Sequence, residues 1–352
     1  MRVETLLPLG KVDPGVRAPE VPLDVTRVFE DARTVEQLGY DGIAFEECKE
    51  DPFLLAALAA QATTRLRLST AVAIAFPRSP ASMAMTAWTL ARLSGGRFIL
   101  GLGTQVRAHI ERRYGMPWHP AGPWIRDYVH ALRAVWRCWQ TGEKLAFESE
   151  HYRLSLMVPL FDPGPIEHPD IKVQLAAVNP IMSRIAGECA EGIRPHPVCT
   201  AAYIEQVMLP AVHEGAARAG RDARGFAVAI KPLIATARTE AELAKRREDV
   251  RARVAFYCSP PAYRAAFDFH GYGDLARRMS VLSREQRWEE MPGLISDEML
   301  DLYATVGTVD EIAAKLRARY AHVVTDAEVS IPIASAADLE TLSTVVGALR
   351  AA

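Results

Sequence analysis

Residues 24–60 read DVTRVFEDARTVEQLGYDGIAFEECKEDPFLLAALAA, and this stretch carries the unit from which the fold is built. Val25, Val28, Ala32, Val35 and Leu38 recur at helical spacing, so 24–38 should form a helix with one apolar face. Gly39 then supplies a C-terminal stop, and 42–45 reads as a short apolar strand. Asp51 and Pro52 start the next helix. The carboxylate can accept from the unpaired N–H groups of the first turn, and proline stands where a missing N–H costs nothing.

Working outward, the same strand–helix unit recurs. Residues 3–7 form a first strand, and 66–74 are rich in small and branched apolar residues, as a third strand buried on both faces should be. Ser79-Pro80 repeats the helix start and Gly95-Gly96 ends that helix, before a fourth strand at 97–100. Residues 171–176 give strand five, followed by a third cap-plus-proline start at Asn179-Pro180 and a helix to about Cys189. Residues 192–194 are strand six, with a helix at 202–219, 226–237 are strand seven, and 327–333 are strand eight, with a final helix at 338–349. Thr239 with Glu242, and Thr308 with Glu311, have the capping-box spacing that opens helices.

Eight strands alternating with helices predict a parallel sheet closed as a single TIM-type (β/α) eightfold barrel over 1–352, in preference to an open doubly wound sheet with a second domain. Two segments break the rhythm. Residues 106–170 hold a Trp/Pro-rich loop (116–124), a helix near 126–141, a hairpin near 144–154 and a Pro-rich stretch. Residues 256–303 read as a mainly helical insertion before strand eight.

Composition sets bounds on function. An apolar fraction of 49% against 24% charged is that of a globular protein with a sizeable core. The formal charge of −2, from 41 basic and 43 acidic residues, provides no global field for nucleic acid or an anionic membrane. Five scattered cysteines without CxxC spacing read as reduced thiols of a cytoplasmic protein. MRVETLLPLG is not a signal peptide, and the most apolar run, 53–60, is too short to cross a bilayer. With no HExxH or clustered ligand spacing, no metal is expected; GxSxG and Walker A motifs are also missing.

Barrel enzymes carry their reactive groups on the loops after the strand C-termini. Strand two ends in Glu46-Glu47-Cys48-Lys49, whose carboxylates suit acid–base work or a solvated acidic loop equally. Strand three ends in the small residues Ser69-Thr70-Ala71-Val72-Ala73, which would admit a planar ring or simply fill a tight interior. Strand four ends in Gly101-Leu102-Gly103-Thr104-Gln105, too short of glycines for a dinucleotide fingerprint but suited to a backbone turn against a ligand. Strand five runs through Val178 into Asn179-Pro180 at a helix start, where N–H groups and the helix dipole attract phosphate, with Ser183 and Arg184 in the first turn. Strand six ends in Arg194-Pro195-His196-Pro197, placing a histidine between prolines. Trp118, Trp124, Trp136 and Trp139 read as core or lid packing.

SGGRFILGLGTQ (94–105), EQLGYDGIAFEE (36–47) and TTRLRLSTAVAIAFPRSP (63–80) resemble signatures of the bacterial-luciferase superfamily, the luciferase-like monooxygenases. QVRAHIERRYG (105–115), AGECAEG (186–192) and FYCSPPAY (256–263) are similar to its branch of F-420-dependent oxidoreductases. The resemblance implies a barrel that binds the deazaflavin coenzyme F-420, or FMN, with the ring at the mouth. It implies a non-prolyl cis peptide near Ala71-Val72 behind the ring, a phosphate held through Asn179 and Ser183 with Val178 also in the cofactor site, and a turn lined by Gly103, Thr104 and Gln105. Relatives that oxidise an alcohol or sugar phosphate carry a histidine where this chain has Cys48 and a glutamate where it has Val106. Acid–base work would then fall to Glu46, Glu47, His109 or His196. The expected function is hydride transfer between F-420 and a small organic substrate. The alternatives are an FMNH2-dependent monooxygenase and a non-catalytic flavin-binding barrel. A homodimer is expected by the same resemblance.

Overall fold

The computed structural model describes residues 1–11, 22–333 and 335–351. Eight parallel strands follow one another around a closed ring: β1 (Arg2–Leu6), β2 (Gly42–Phe45), β3 (Arg67–Thr70), β4 (Phe98–Gly103), β5 (Lys172–Ala177), β6 (Gly192–Pro195), β7 (Ala227–Ile230) and β8 (Asp326–Glu328). β8 closes on β1 with Arg2 opposite Asp326 and Glu4 opposite Glu328. Among the described residues ten longer helices pack outside or extend the insertions: α1 (Val28–Gln37), α2 (Pro52–Ala62), α3 (Pro80–Ser94), α4 (Ala121–Thr141), α5 (Pro180–Cys189), α6 (Leu209–Arg218), α7 (Glu240–Cys258), α8 (Gly273–Arg284), α9 (Val309–Tyr320) and α10 (Ala336–Arg350). This is the TIM-type barrel that the alternation predicts.

The three cap-plus-proline starts form as read. The Asp51 carboxylate accepts the Phe53 N–H at 2.8 Å, Ser79 accepts the Ser82 N–H at 3.1 Å, and Asn179 accepts the Met182 N–H at 3.0 Å. Gly95 ends α3 at φ +60, in the left-handed region where a side chain would be strained. Thr308 and Glu311 make a reciprocal capping box, and Thr239 accepts the Glu242 N–H.

The elements depart from the sequence reading in several places, among them the helix expected near 126–141, which already starts at Ala121. Strand seven does not run through 226–237. β7 stops at Ile230, and Leu233–Ala237 leaves the barrel to pair in parallel with Ala304–Thr308. Pro232, which has no N–H to give to a ladder, stands at the break. Strand three divides likewise, β3 ending at Thr70 and the chain rejoining β4 only at Ala73–Ile74. β8 is three residues long and does not reach 333. The helix expected at 202–219 contains a π-turn at Ile204–Met208.

Successive residues of a strand face opposite sides, and the inward positions here are largely polar or small. Arg194 on β6 reaches Glu4 on β1 at 2.8 Å, Gln174 on β5 at 2.8 Å and Ser69 on β3 at 2.8 Å, all buried. Branched apolar residues, the usual filling of such barrels, instead face the helices, as Val3, Ile43, Leu68 and Val173 do in the core cluster.

Asp326 forms a second tie at the N-terminal end of the barrel. It accepts from the Arg2 guanidinium at 2.9 and 3.0 Å and also pairs with Arg67 and Thr325, joining β8 to β1 and β3. These donors hold its carboxyl down at about 2, against the opposing effect of its burial. The folded form therefore gains stability where an unfolded carboxyl ionises, above about pH 4, and loses it as pH falls towards 2. That is about 2 kcal/mol at neutral pH. Asp326→Asn is expected to lower urea stability by that order at pH 7, with the difference from the parent shrinking steadily between pH 4 and pH 2. A pH-independent difference would contradict this assignment.

Candidate functional site

A cavity of about 510 Å³ opens at the C-terminal ends of the barrel strands. Ten of the residues singled out from the sequence line it: Glu46, Glu47, Ala71, Val72, Gly103, Thr104, Gln105, Val178, Asn179 and His196. Cys48 and Val106 line it too, so the two positions that depart from the alcohol-oxidising relatives do face the mouth. His109 and Ser183 are not among the lining residues. His109 is exposed on the short helix Arg107–Arg112. Ser183 is fully buried, and its hydroxyl donates back to the Asn179 carbonyl at 3.0 Å, the common fate of a serine inside a helix.

One wall is made of backbone and small side chains. The Ala71-Val72 peptide is cis, where the resemblance implies it. A Cβ on Gly103 would come within 2.5 Å of Val72 Cγ2, so only glycine lets the Val72 side chain lie there. A Cβ on Gly101 would lie 1.9 Å from the Thr70 carbonyl oxygen, and the Thr70 hydroxyl both donates to Gly101 O at 2.6 Å and accepts from Gly101 N at 2.9 Å. Immediately after the bulge, Ile74 N–H donates to Glu47 at 2.7 Å, and Arg78 holds both oxygens of that carboxylate at 2.8 Å. Glu47 is thus committed to holding the wall in place.

The α5 start borders the wall. Val178, Asn179 and Met182 line the cavity, and the Tyr203 hydroxyl donates to Val178 O at 3.0 Å. Arg184 turns to Glu214 at 3.0 Å and is not a lining residue.

Across the mouth the character changes to charge. Glu46 accepts from Lys11 at 2.7 Å and from Lys231 at 3.2 Å, and Lys231 lies 3.5 Å from Glu328. Arg194 forms part of the cavity floor. His196 stacks on Tyr263 with ring centroids 3.9 Å apart and meets Tyr257 edge-on at 4.7 Å. Its Nδ1 accepts the Val198 N–H at 3.4 Å, which favours the tautomer with the proton on Nε2. Burial pushes the Tyr263 hydroxyl above its ordinary range.

Sequence reasoning did not single out Lys11, Lys231, Glu328, Tyr257 or Tyr263 as site residues. Lys231 had a usable signal, since a lysine directly before Pro232 marks a strand end. Among the described residues no group of three or more His, Cys, Asp or Glu is placed to hold a metal, and no helix is long and apolar enough to cross a membrane.

Comparison with known proteins adds to this geometry. The sequence profile described as Luciferase-like monooxygenase matches residues 1–326. The Mycobacterium tuberculosis protein Rv1360 is 44% identical over 324 residues, covering 92% of this chain and 94% of that one. Rv3520c of the same organism, named for coenzyme F-420-dependent oxidoreductase activity, is 28% identical over 86% of this chain and 88% of its own length. The coenzyme F-420-dependent tetrahydromethanopterin reductase of Methanopyrus kandleri superposes with a TM-score of 0.73 at 21% identity, covering 98% of this chain and 97% of that one.

The Glu47 clamp is directly testable. Glu47→Ala removes the acceptor of the Ile74 N–H and the partner of Arg78, and is expected to cost about 2 kcal/mol in urea denaturation. Glu47→Gln, which can still accept one hydrogen bond, should lose less. Equal stability of the parent and both variants would show that the clamp does not hold the wall.

Proposed function

The chain belongs to the luciferase-like monooxygenase family of F-420- or flavin-dependent oxidoreductases, and from that premise we propose that it binds coenzyme F-420 at the barrel mouth and transfers a hydride between it and a small organic substrate. The observation that carries this reading is the wall at Ala71-Val72 and Gly103, where a side chain at 103 would fill the space against Val72. A flat, backbone-built face beside a helix start suits a tricyclic ring with a phosphorylated side chain.

F-420 would supply the hydride chemistry, and the protein supplies position and proton handling. Ala71, Val72, Gly103, Thr104 and Gln105 would support the ring. Val178 and Asn179 at the α5 start would face the phosphate, where the exposed end of the helix dipole favours negative charge. Ser183 supports this site from behind through the Asn179 carbonyl. Glu46 with Lys231, and His196, stand across the cavity as the groups placed to exchange a proton with substrate. His109 has no part in this arrangement, because it lies outside the cavity.

FMN has the same ring shape and a phosphate, so an FMNH2-dependent monooxygenase is the second reading. Titration with F-420 is expected to give a saturable change in cofactor fluorescence. Saturation by FMN with no response to F-420 would overturn the deazaflavin assignment, and oxygen uptake with reduced FMN and substrate would favour the second reading. Asn179→Asp keeps the helix cap but brings a carboxylate to the phosphate. It should weaken F-420 or FMN by about tenfold while leaving riboflavin, which lacks the phosphate, unchanged. Loss of riboflavin binding to the same extent would place the phosphate elsewhere.

The proposed assembly is a homodimer through α2 and α3. In α2 only Gln61 is polar, yet Leu54 is 69% exposed and Leu58 42%, with Met85 of α3 at 60%. A helix apolar all round is normally covered. Sedimentation velocity should show a dimer for the parent and a monomer for Leu54→Glu combined with Met85→Glu. A dimeric double variant would exclude this face.

A further inference from the structure

A second concavity, of about 650 Å³, lies on the inserted segment, away from the mouth. Its wall is the helix Gly273–Arg284, where Arg277, Val281 and Arg284 fall on one face at spacings of four and three residues. Arg264 lines the groove as well, and Phe256 and Trp288 form an aromatic pair in it, their ring centroids 5.9 Å apart and inclined at 39°. The volume is within the range of small-molecule sites.

No acidic residue lines this groove. Arg277 pairs with Asp274, whose side chain is almost wholly in solvent, and Arg284 donates to the Ser280 carbonyl of its own helix at 3.2 Å. Arg264 is the more telling residue. Its Nε is buried and has no hydrogen-bond partner among the described residues, nor does its guanidinium form an ion pair with any of them. A buried, unsatisfied guanidinium nitrogen opposes folding unless something else offsets it. Three guanidiniums around one groove favour a multiply charged anion, since each can bind phosphate or carboxylate oxygens through paired N–H groups. Phe256, Trp288 and Val281 add an apolar surface on which a planar ring can stack.

We propose that this groove binds a small polyanion bearing a planar ring, the chemistry of a nucleotide: the charged end on Arg264, Arg277 and Arg284, the ring against Phe256 and Trp288. The site is independent of the cofactor assignment. It shares with the mouth only the segment in which Pro260 and Pro261 line the groove while Ala262 and Tyr263 line the mouth.

The probes are ADP, pyrophosphate and adenosine, titrated into the full-length protein by calorimetry. ADP is expected to saturate a single site, with pyrophosphate weaker and adenosine silent. Arg264→Gln combined with Arg284→Gln should weaken ADP by at least about tenfold, the loss expected from removing charge-assisted hydrogen bonds. Trp288→Ala should weaken ADP but not pyrophosphate. Circular dichroism and the thermal midpoint of each variant verify that it folds. Absence of saturable ADP binding overturns the proposal. So does ADP binding that the folded double variant retains in full, the result expected if ADP lodged in the mouth instead.

Discussion

The buried guanidinium of Arg194 constrains the barrel more than any other single group. It is 9% exposed and faces Glu4, itself 4% exposed, inside a ring of eight strands. A charge in that position is tolerable only if its counter-charge and remaining hydrogen-bond partners are provided within the interior. Glu4, Gln174 and Ser69 meet that demand from β1, β5 and β3, so one side chain of β6 couples four strands across the barrel. The β4 position beside it must stay glycine, because a Cβ on Gly101 would lie 1.9 Å from the Thr70 carbonyl oxygen. The result is a polar plug beneath the mouth, charge-balanced by Glu4.

The wall above the plug follows from the same crowding. Thr70 replaces part of the ladder with hydroxyl contacts to both backbone groups of Gly101. Beyond it the chain leaves the sheet, turns through the cis Ala71-Val72 bond and returns to β4 at Ala73. Glu47 and Arg78 fasten the return through the Ile74 N–H. Each element here is a backbone feature secured by a side chain from a neighbouring strand end or helix start.

Much of the fold was legible in the chain because the signals were local. Asp51-Pro52, Ser79-Pro80 and Asn179-Pro180 announced three helices to the residue, and Gly39 and Gly95 fell where helices end. Strand seven was misread because the apolar pattern continues past Pro232. Both halves are buried, though in different sheets, and burial leaves the same mark on composition in either place. The polar plug was illegible for the opposite reason: a lone Glu4 or Gln174 in an apolar strand gives no hint that Arg194, far along the chain, will meet it. In the site, the strand-end rule located most of the mouth, whereas Tyr257 and Tyr263 come from an insertion that the rule ignores. Ser183 stands close to the helix start, but a hydroxyl four residues after Asn179 reaches its carbonyl before it reaches the cavity.

Glu46 and Glu47 show most clearly how the strand geometry divides the mouth. They are adjacent in sequence and both line the cavity, yet their carboxylates lie in different halves, as the alternation of side chains at a strand end requires. Glu47 reaches the bulge after β3 and is taken up by Ile74 and Arg78, on the side built from small residues. Glu46 reaches Lys11 and Lys231, on the side where β1, β2, β7 and β8 bring together two lysines and two glutamates. A flat apolar wall and a titratable corner thus face each other across one cavity, with His196 held beside them by Tyr257 and Tyr263. Two identical residues in succession therefore do different work. Cys48 and Val106 line the same cavity but add neither a carboxylate nor an imidazole to either half.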